Sequence, residues 1–348
     1  MSSPKPVCVL IADIHFTPAT LELASESLRR ARSAAVELGV PLIIAGDTLD
    51  SKAIIRAECA NSLLEILKET PSPKYTKILV GNHDLINEKG TEHSLNFLNN
   101  LPSVEVVSAP YKETGTGLLL IPYQTANSKV WTEWLSRYQE GHTIICHQGV
   151  QGAEMGHYIK DSTSLPREAF ANFRVISGHY HKAQNIKCGP PRKGAVGLFT
   201  YVGNPYSLSF GEANDGPKGI AVLMDDGLLK RIPFSDFRKH VVVEGYVLDE
   251  RGVILPPGTK EKINAHDLLW LKITGPQSEL KKLNKAEIGQ SLLGHSNFKL
   301  DLIPSDSAPA TVETKTLTSE QVLDKLIDNM GETDDQKAYL KVLWREIV

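Results

Sequence analysis

Several classes of protein are excluded by what this sequence lacks. It has only four cysteines, Cys8, Cys59, Cys146 and Cys188, far apart and with no C-x-x-C pair. That argues against a disulfide framework, and three of the four lie in apolar or helical stretches where free thiols pack as small hydrophobes. A reducing cytoplasm is the expected compartment. Long apolar runs are missing too: Val7–Ala12 near the amino terminus has six residues, short of a signal segment and far short of a membrane span. Neither export nor membrane insertion is expected. Charge of one sign is absent, with 38 Lys and Arg against 41 Asp and Glu and a net charge of −3. No global field therefore draws the molecule onto nucleic acid, and phosphate contacts must come from local basic groups or from a partner. There is no internal repeat and no low-complexity run.

What is present is an ordinary globular balance, 41% hydrophobic and 23% charged over 348 residues. That is enough for one large core and a smaller second unit. Short runs rich in β-branched residues recur at Val7–Ala12, Leu42–Ala45, Lys77–Val80, Val104–Val107, Leu118–Ile121, Thr143–Cys146 and Arg174–Ser177. Amphipathic stretches between the early ones, Thr20–Leu38 before Gly39 and Lys52–Lys68 before Pro71, predict helices. Continuous apolar strands alternating with helices point to an α/β layered core with strands buried on both faces. In such folds ligands bind beyond the carboxyl ends of the strands.

After Phe199–Val202 the pattern turns antiparallel, with Gly219–Met224 and Leu228–Ile232 predicted as a hairpin around Asp225-Asp226-Gly227. The expected division is a main domain over 1–240, a small unit over 241–304, a linker over 305–317 and a helical tail over 318–348. The small unit has strand-like Leu268–Ile273, helix-like Gln277–Leu292 and strand-like Phe298–Ile303.

Metal-ligand residues follow the strand ends in order: Asp13-Ile14-His15, Gly46-Asp47, Gly81-Asn82-His83-Asp84, His147, and Gly178-His179-Tyr180-His181. Carboxylate oxygen with imidazole nitrogen suits Mn²⁺, Fe²⁺ or Zn²⁺ better than Ca²⁺. A carboxylate such as Asp47 can bridge two cations about 3.5–4 Å apart. Strand alternation would aim His179 and His181 to the same side, one toward each metal. His83 is free to face a substrate, where it could protonate a departing alkoxide. Asp84 is expected to orient the turn or a neighbouring histidine, and Asp50 to support the ligands from behind.

This series resembles the pattern D-x-H, G-D-x-x-D, G-N-H-D/E, H and G-H-x-H of the calcineurin-like binuclear metallophosphoesterases. The resemblance implies a four-layer α/β/β/α core. It also implies one ion held by Asp13, His15, Asp47 and His181 and another by Asp47, Asn82, His147 and His179. The stretch Gly203-Asn204-Pro205 through Ser209-Phe210-Gly211-Glu212 to Lys218-Gly219 is similar to a segment of the SbcD-type DNA repair and recombination nucleases. Thr17 and Asn204 depart from the commoner residues of that pattern without removing a ligand. The resemblance implies two divalent ions, most commonly Mn²⁺, and hydrolysis of DNA at duplex ends and in single strands. It further implies a β-α-β capping domain that binds DNA, a homodimer within a heterotetramer with an SbcC-like ABC/SMC-type ATPase, and a bacterial or phage-infected cytoplasm.

Lys182, Lys187, Arg192 and Lys193 follow the histidine pair and are the nearest candidate phosphate contacts. The tail after Thr318 is expected to dock on the ATPase partner, or else to fold back on the core. Two other readings stand beside the nuclease: a small-molecule phosphodiesterase or phosphatase of the same superfamily, and a DNA-end-binding scaffold.

Overall fold

A computed structural model of the chain describes residues 3–87, 92–125, 129–138, 142–156, 159–189, 197–247, 252–259, 263–288 and 298–305. Its elements run β1 (Pro6–Ile11), α1 (Leu21–Leu38), β2 (Leu42–Ile44), α2 (Ala57–Lys68), β3 (Thr76–Leu79), β4 (Val104–Val107), β5 (Tyr111–Lys112), β6 (Leu119–Ile121) and α3 (Lys129–Arg137). Next come β7 (Thr143–His147), β8 (Glu154–Gly156), β9 (Ile159–Lys160), β10 (Arg174–Gly178), β11 (Gln184–Lys187), β12 (Leu198–Tyr201), β13 (Gly219–Met224) and β14 (Leu229–Pro233). The last are β15 (His240–Val247), β16 (Val253–Ile254), β17 (Leu268–Gly275), α4 (Gln277–Leu280), α5 (Lys285–Ile288) and β18 (Phe298–Pro304).

The architecture is mixed α/β with two six-stranded, largely parallel sheets, ordered β14-β13-β1-β2-β3-β4 and β11-β12-β10-β7-β6-β5. β1 to β4 are parallel neighbours, as are β6, β7, β10 and β12. A third sheet runs β16-β15-β17-β18. The chain divides into two compact units. One takes the described residues within Met1–Gly245, Leu255–Lys272 and Asn284–Asp301, and the other those within Tyr246–Ile254, Ile273–Leu283 and Leu302–Val348. In the second, Tyr246 and Val247 pair antiparallel with Ile254 and Val253.

The period-2 geometry of the strands sorts their apolar side chains into separate cores. Val9, Ile11, Leu42, Ile44 and Ile78 pack with Ala24, Leu28, Ala31 and Ala35 of α1 and with Cys59, Leu63 and Ile66 of α2. The intervening Cys8, Leu10, Ile43 and Leu79 pack instead with Leu120, Ile145 and Ile176 of the other six-stranded sheet. On the far side of that sheet, Ile144, Cys146 and Val175 pack with Trp131 of α3. The strands read as unbroken apolar runs because both of their faces are buried. All four cysteines are free and buried.

Helix α1 keeps small alanines toward the sheet and ends at Gly39, whose φ of 66° lets its N–H reach back to Ala35 O and Val36 O. Helix α2 corrects the expected Lys52–Lys68 start: it begins at Ala57, and residues 51–58 are exposed. Ile54 and Ile55 are exposed, so helix there would gain no tertiary packing. Over 277–288, the described part of the helix expected at 277–292, there are likewise two short turns, α4 and α5, and 289–292 lie outside the described residues. The Asn284 side chain accepts the Ala286 N–H at 2.9 Å between them and so competes with a continuous helix. The 318–348 tail and the 306–317 part of the linker lie outside the described residues. Among the described residues no helix is long and apolar enough to cross a membrane.

Candidate metal centre

The carboxyl ends of β1, β2 and β3 in one sheet and of β7 and β10 in the other meet at one place, and all seven expected ligands lie there. The loops after β1 and β2 run side by side, with Asp13 N–H donating to Gly46 O at 3.1 Å, His15 N–H to Asp47 O at 3.1 Å and Phe16 N–H to Thr48 O at 3.0 Å. The Tyr206 hydroxyl, almost wholly buried, donates to Ile14 O and fastens the first loop from its other side.

Backbone strain is concentrated at this spot. Among the described residues five non-glycines have positive φ, and four are Asp13 (53°), His15 (49°), Asp47 (49°) and His179 (95°). Such conformations cost about 1–3 kcal/mol each and persist where the surroundings over-determine them, chiefly at functional sites. The His179 value also corrects the alternation expected for the histidine pair. β10 ends at Gly178 and the chain turns out of the sheet, so the turn, and not the pleat, aims the two rings.

Two clusters result. Asp13, His15 and His181 bring ligand atoms within 4.8 Å of one another, and so do Asp47, His147 and His179. His15 Nε2 lies 3.1 Å from His181 Nε2. His147 Nε2 lies 3.1 Å from Asp47 Oδ2 and 2.9 Å from Asn82 Oδ1, which is also 2.9 Å from His179 Nδ1. Asp47 Oδ2 is 3.8 Å from His15 Nε2, so this carboxylate faces members of both clusters. A further grouping, His15, Asp50 and His83, adjoins them.

The groups behind these side chains fix their protonation. His147 Nδ1 donates to Ala45 O at 2.8 Å, which turns Nε2 inward. Burial opposes its charged form, but Asp47, Asp13 and the Ala45 carbonyl push its pKa up to about 9. His83 Nδ1 donates to Asp50 O at 2.7 Å, and its N–H donates to Asp47 Oδ1 at 2.8 Å. Asp50 Oδ1 stands 3.2 Å from His15 Nδ1. Asp84 is fully buried and takes main-chain N–H groups from Gly81 (2.9 Å), Leu49 (3.0 Å) and Thr48 (3.3 Å), tying the second and third loops together. Burial and the nearby Asp47 charge push its carboxyl up to about 7. Burial also works against ionised Asp47, yet His147, His15 and His83 hold it well below the usual range. His179 is driven down to about 3 by burial and by its histidine neighbours, so it is neutral and available as a donor.

The donors fit divalent cations. Asp13 Oδ2 is buried with no hydrogen-bond partner, although Oδ1 accepts the His179 N–H at 2.8 Å. Burial raises the Asp13 pKa, and such an unpaired oxygen is satisfied by a proton or by a bound cation. Oxygen and nitrogen donors in this mixture suit Mn²⁺, Fe²⁺ or Zn²⁺.

Reading motif residues alone missed what stands behind them. Glu212 accepts from His181 Nδ1 at 2.8 Å, and the Tyr180 hydroxyl donates to Asp161 at 2.5 Å while its ring leans on His179. Glu212 carried a trace in the Ser-Phe-Gly-Glu stretch, but Asp161 had none. Lys182, next to His181, pairs with Glu154, and Lys187 is exposed on β11. Arg192 and Lys193 lie outside the described residues.

No family model matches the chain. It is similar to a protein of Invertebrate iridescent virus 6 named "Putative phosphoesterase 244L", with 23% identity over 272 residues, covering 73% of this chain and 91% of that protein.

Proposed function

We propose that this chain is a metal-dependent phosphoesterase that cleaves phosphodiester bonds in DNA as the nuclease subunit of an SbcC-like ATPase complex. The observation that carries the phosphoesterase reading is the meeting of seven donor side chains from two sheets in two adjoining clusters, one of which holds a buried, unpartnered Asp13 oxygen. The likeness to a viral protein named as a phosphoesterase supports the same chemistry. In this reading the core is a four-layer α/β/β/α arrangement, supported by the sorting of strand side chains into three clusters.

Asp13, His15, Asp47 and His181 would hold one ion and Asp47, Asn82, His147 and His179 the other, with Mn²⁺ the expected metal. Divalent ions bound there neutralise phosphate charge and lower the pKa of water. His83 takes the proton-transfer role. With Nδ1–H fixed on Asp50 O, a proton on Nε2 is the one it can deliver to a leaving oxygen. Asp84 keeps the His83 turn against the Asp47 loop through its three main-chain hydrogen bonds.

The DNA reading rests on the 203–219 stretch, whose Glu212 reaches His181. Exposed Lys187, at the end of β11 that pairs with Leu198 and so away from the histidines, is proposed as a more distant phosphate contact. Lys182, Arg192 and Lys193 are proposed phosphate contacts with it. Residues 241–304 would form the DNA-binding capping domain, the chain would dimerise within a heterotetramer in a bacterial or phage-infected cytoplasm, and 318–348 would dock on the ATPase. The test is labelled duplex and single-stranded DNA incubated with Mn²⁺ and the purified protein, with and without the ATPase, beside Asp47→Ala and a cyclic nucleotide. Cleavage of DNA that Asp47→Ala abolishes is expected. DNA left intact while the nucleotide is hydrolysed would replace the nuclease with a small-molecule phosphodiesterase.

A further inference from the structure

β10 delivers His181 to the site, but its ring is held by another part of the chain. His181 Nδ1 donates to Glu212 Oε1 at 2.8 Å. The other oxygen, Glu212 Oε2, accepts from Asn204 Nδ2 at 3.0 Å and from the Leu208 N–H at 3.1 Å, and Lys218 Nζ lies 3.1 Å from it. The same Lys218 ammonium donates to the main-chain oxygen of His181 at 3.1 Å and to Asp215 at 2.8 Å. Ring and backbone of His181 are thus gripped from one side by a single connected set of groups.

The Glu212 side chain is only 9% exposed. A carboxylate so buried is tolerated only when its oxygens are fully used, and here four donors use them. Because a carboxylate accepts and does not donate, the proton on His181 must sit on Nδ1, and Nε2 faces Asp13 and His15. A carboxylate behind a histidine fixes its orientation and raises its basicity as a ligand. No hydrogen bond of Glu212 among the described residues runs to Asn82, His147 or His179, so its influence falls on one cluster.

We infer that Glu212, braced by Lys218, is a positioning residue that holds His181 with Nε2 turned to Asp13 and His15 and so sets the affinity of one of two cation positions. This rests on the two-cation reading above. The test is calorimetric titration of Mn²⁺ into the full chain and into Glu212→Ala, with thermal unfolding of the metal-free proteins as the folding control. Two binding events are expected for the wild type, with one weakened about 10–100-fold and the other unchanged in the variant. A folded Glu212→Ala that binds both ions as the wild type does, or loses both equally, overturns the inference. Should that variant not fold, Glu212→Asp, one methylene too short to reach Nδ1 from the same position, is judged by the same criterion. A wild-type protein that takes up no Mn²⁺ would instead remove the metal reading itself.

Discussion

Gly81 stands so close to Asp47 that a Cβ on it would lie 2.2 Å from both the Asp47 amide nitrogen and Oδ1. The same crowding recurs where Gly46 meets the His147 ring and where Gly178 meets Ala45 O, each at less than 2.4 Å. The glycines that open these motifs are therefore spacers, which let three loops approach until their carboxylates and imidazoles share one volume.

Gly81→Ala must push the Asp47 loop away or bend its own turn. Overpacking of this kind costs about 1–3 kcal/mol, and the displaced atom is itself a candidate ligand. Gly216→Ala, where nothing lies within 4 Å, is the control. A lowered melting temperature and weakened Mn²⁺ uptake are expected for Gly81→Ala alone. Equal behaviour of the two variants in both measurements would refute the spacing role.

His83 is held by its Nδ1 on Asp50 O and by its N–H on Asp47, so removing the ring leaves the expected ligand side chains in place. His83→Ala is predicted to lower DNA hydrolysis by about 10²–10⁴-fold while Mn²⁺ binding stays near wild type. With a nitrophenyl phosphodiester, whose leaving group needs no proton, the loss should be much smaller. An equal loss on both substrates would show that His83 does not protonate the leaving oxygen.

Much of this was legible in the sequence because the strands are buried on both faces. Val9, Leu10 and Ile11 give an unbroken apolar run, and the polar residues just past it stand out as a strand end. Asp13, Asp47, Asn82, His147, His179 and His181 could be read in this way one strand at a time. Groups joined only in space could not. Asp161 reaches Tyr180 from 19 positions away, and nothing in its own neighbours announces the contact. Helix boundaries failed for a related reason: Ile54 and Ile55 suggest an earlier start to α2, and only the absence of a packing surface beneath them prevents it. α3 also went unread although its signal was present: Trp131, Trp134, Leu135 and Tyr138 recur at i, i+3, i+4 and i+7 and pack on one cluster.

Glu113 predicts a pH dependence independent of the site. Burial alone would raise its pKa, but the Thr116 hydroxyl and amide, both at 2.5 Å, the Gly115 N–H at 2.9 Å and the Tyr75 hydroxyl together lower it. A carboxyl with a depressed folded pKa stabilises the fold above its unfolded value, about 4.3, and loses that contribution as pH falls through the folded one. Glu113→Gln should therefore be less stable than the wild type by about 1–3 kcal/mol at neutral pH, with the gap closing below about pH 4. Urea unfolding across this range checks it, and a gap that does not narrow in acid would show that ionisation is not what the Thr116 loop recognises.

The last prediction concerns how two sheets share one site. Ile176 pairs in register with Ile145, and both pack into the cluster that also takes Leu10 and Ile43 from the other sheet. Ile176 lies three residues before His179, and Ile145 two before His147, so this cluster sits just beneath the histidines. Ile176→Ala is expected to lower stability by about 2–5 kcal/mol, whereas Ile232→Ala, at a position 38% exposed, should stay within about 0.5 kcal/mol. Because ligands on opposite sheets keep their separation only while this cluster is filled, Mn²⁺ affinity should fall in folded Ile176→Ala as well. Stability lost with affinity untouched would mean that the strand-end loops, through contacts such as Asp84 with Leu49 and Gly81, hold the site without help from the core below.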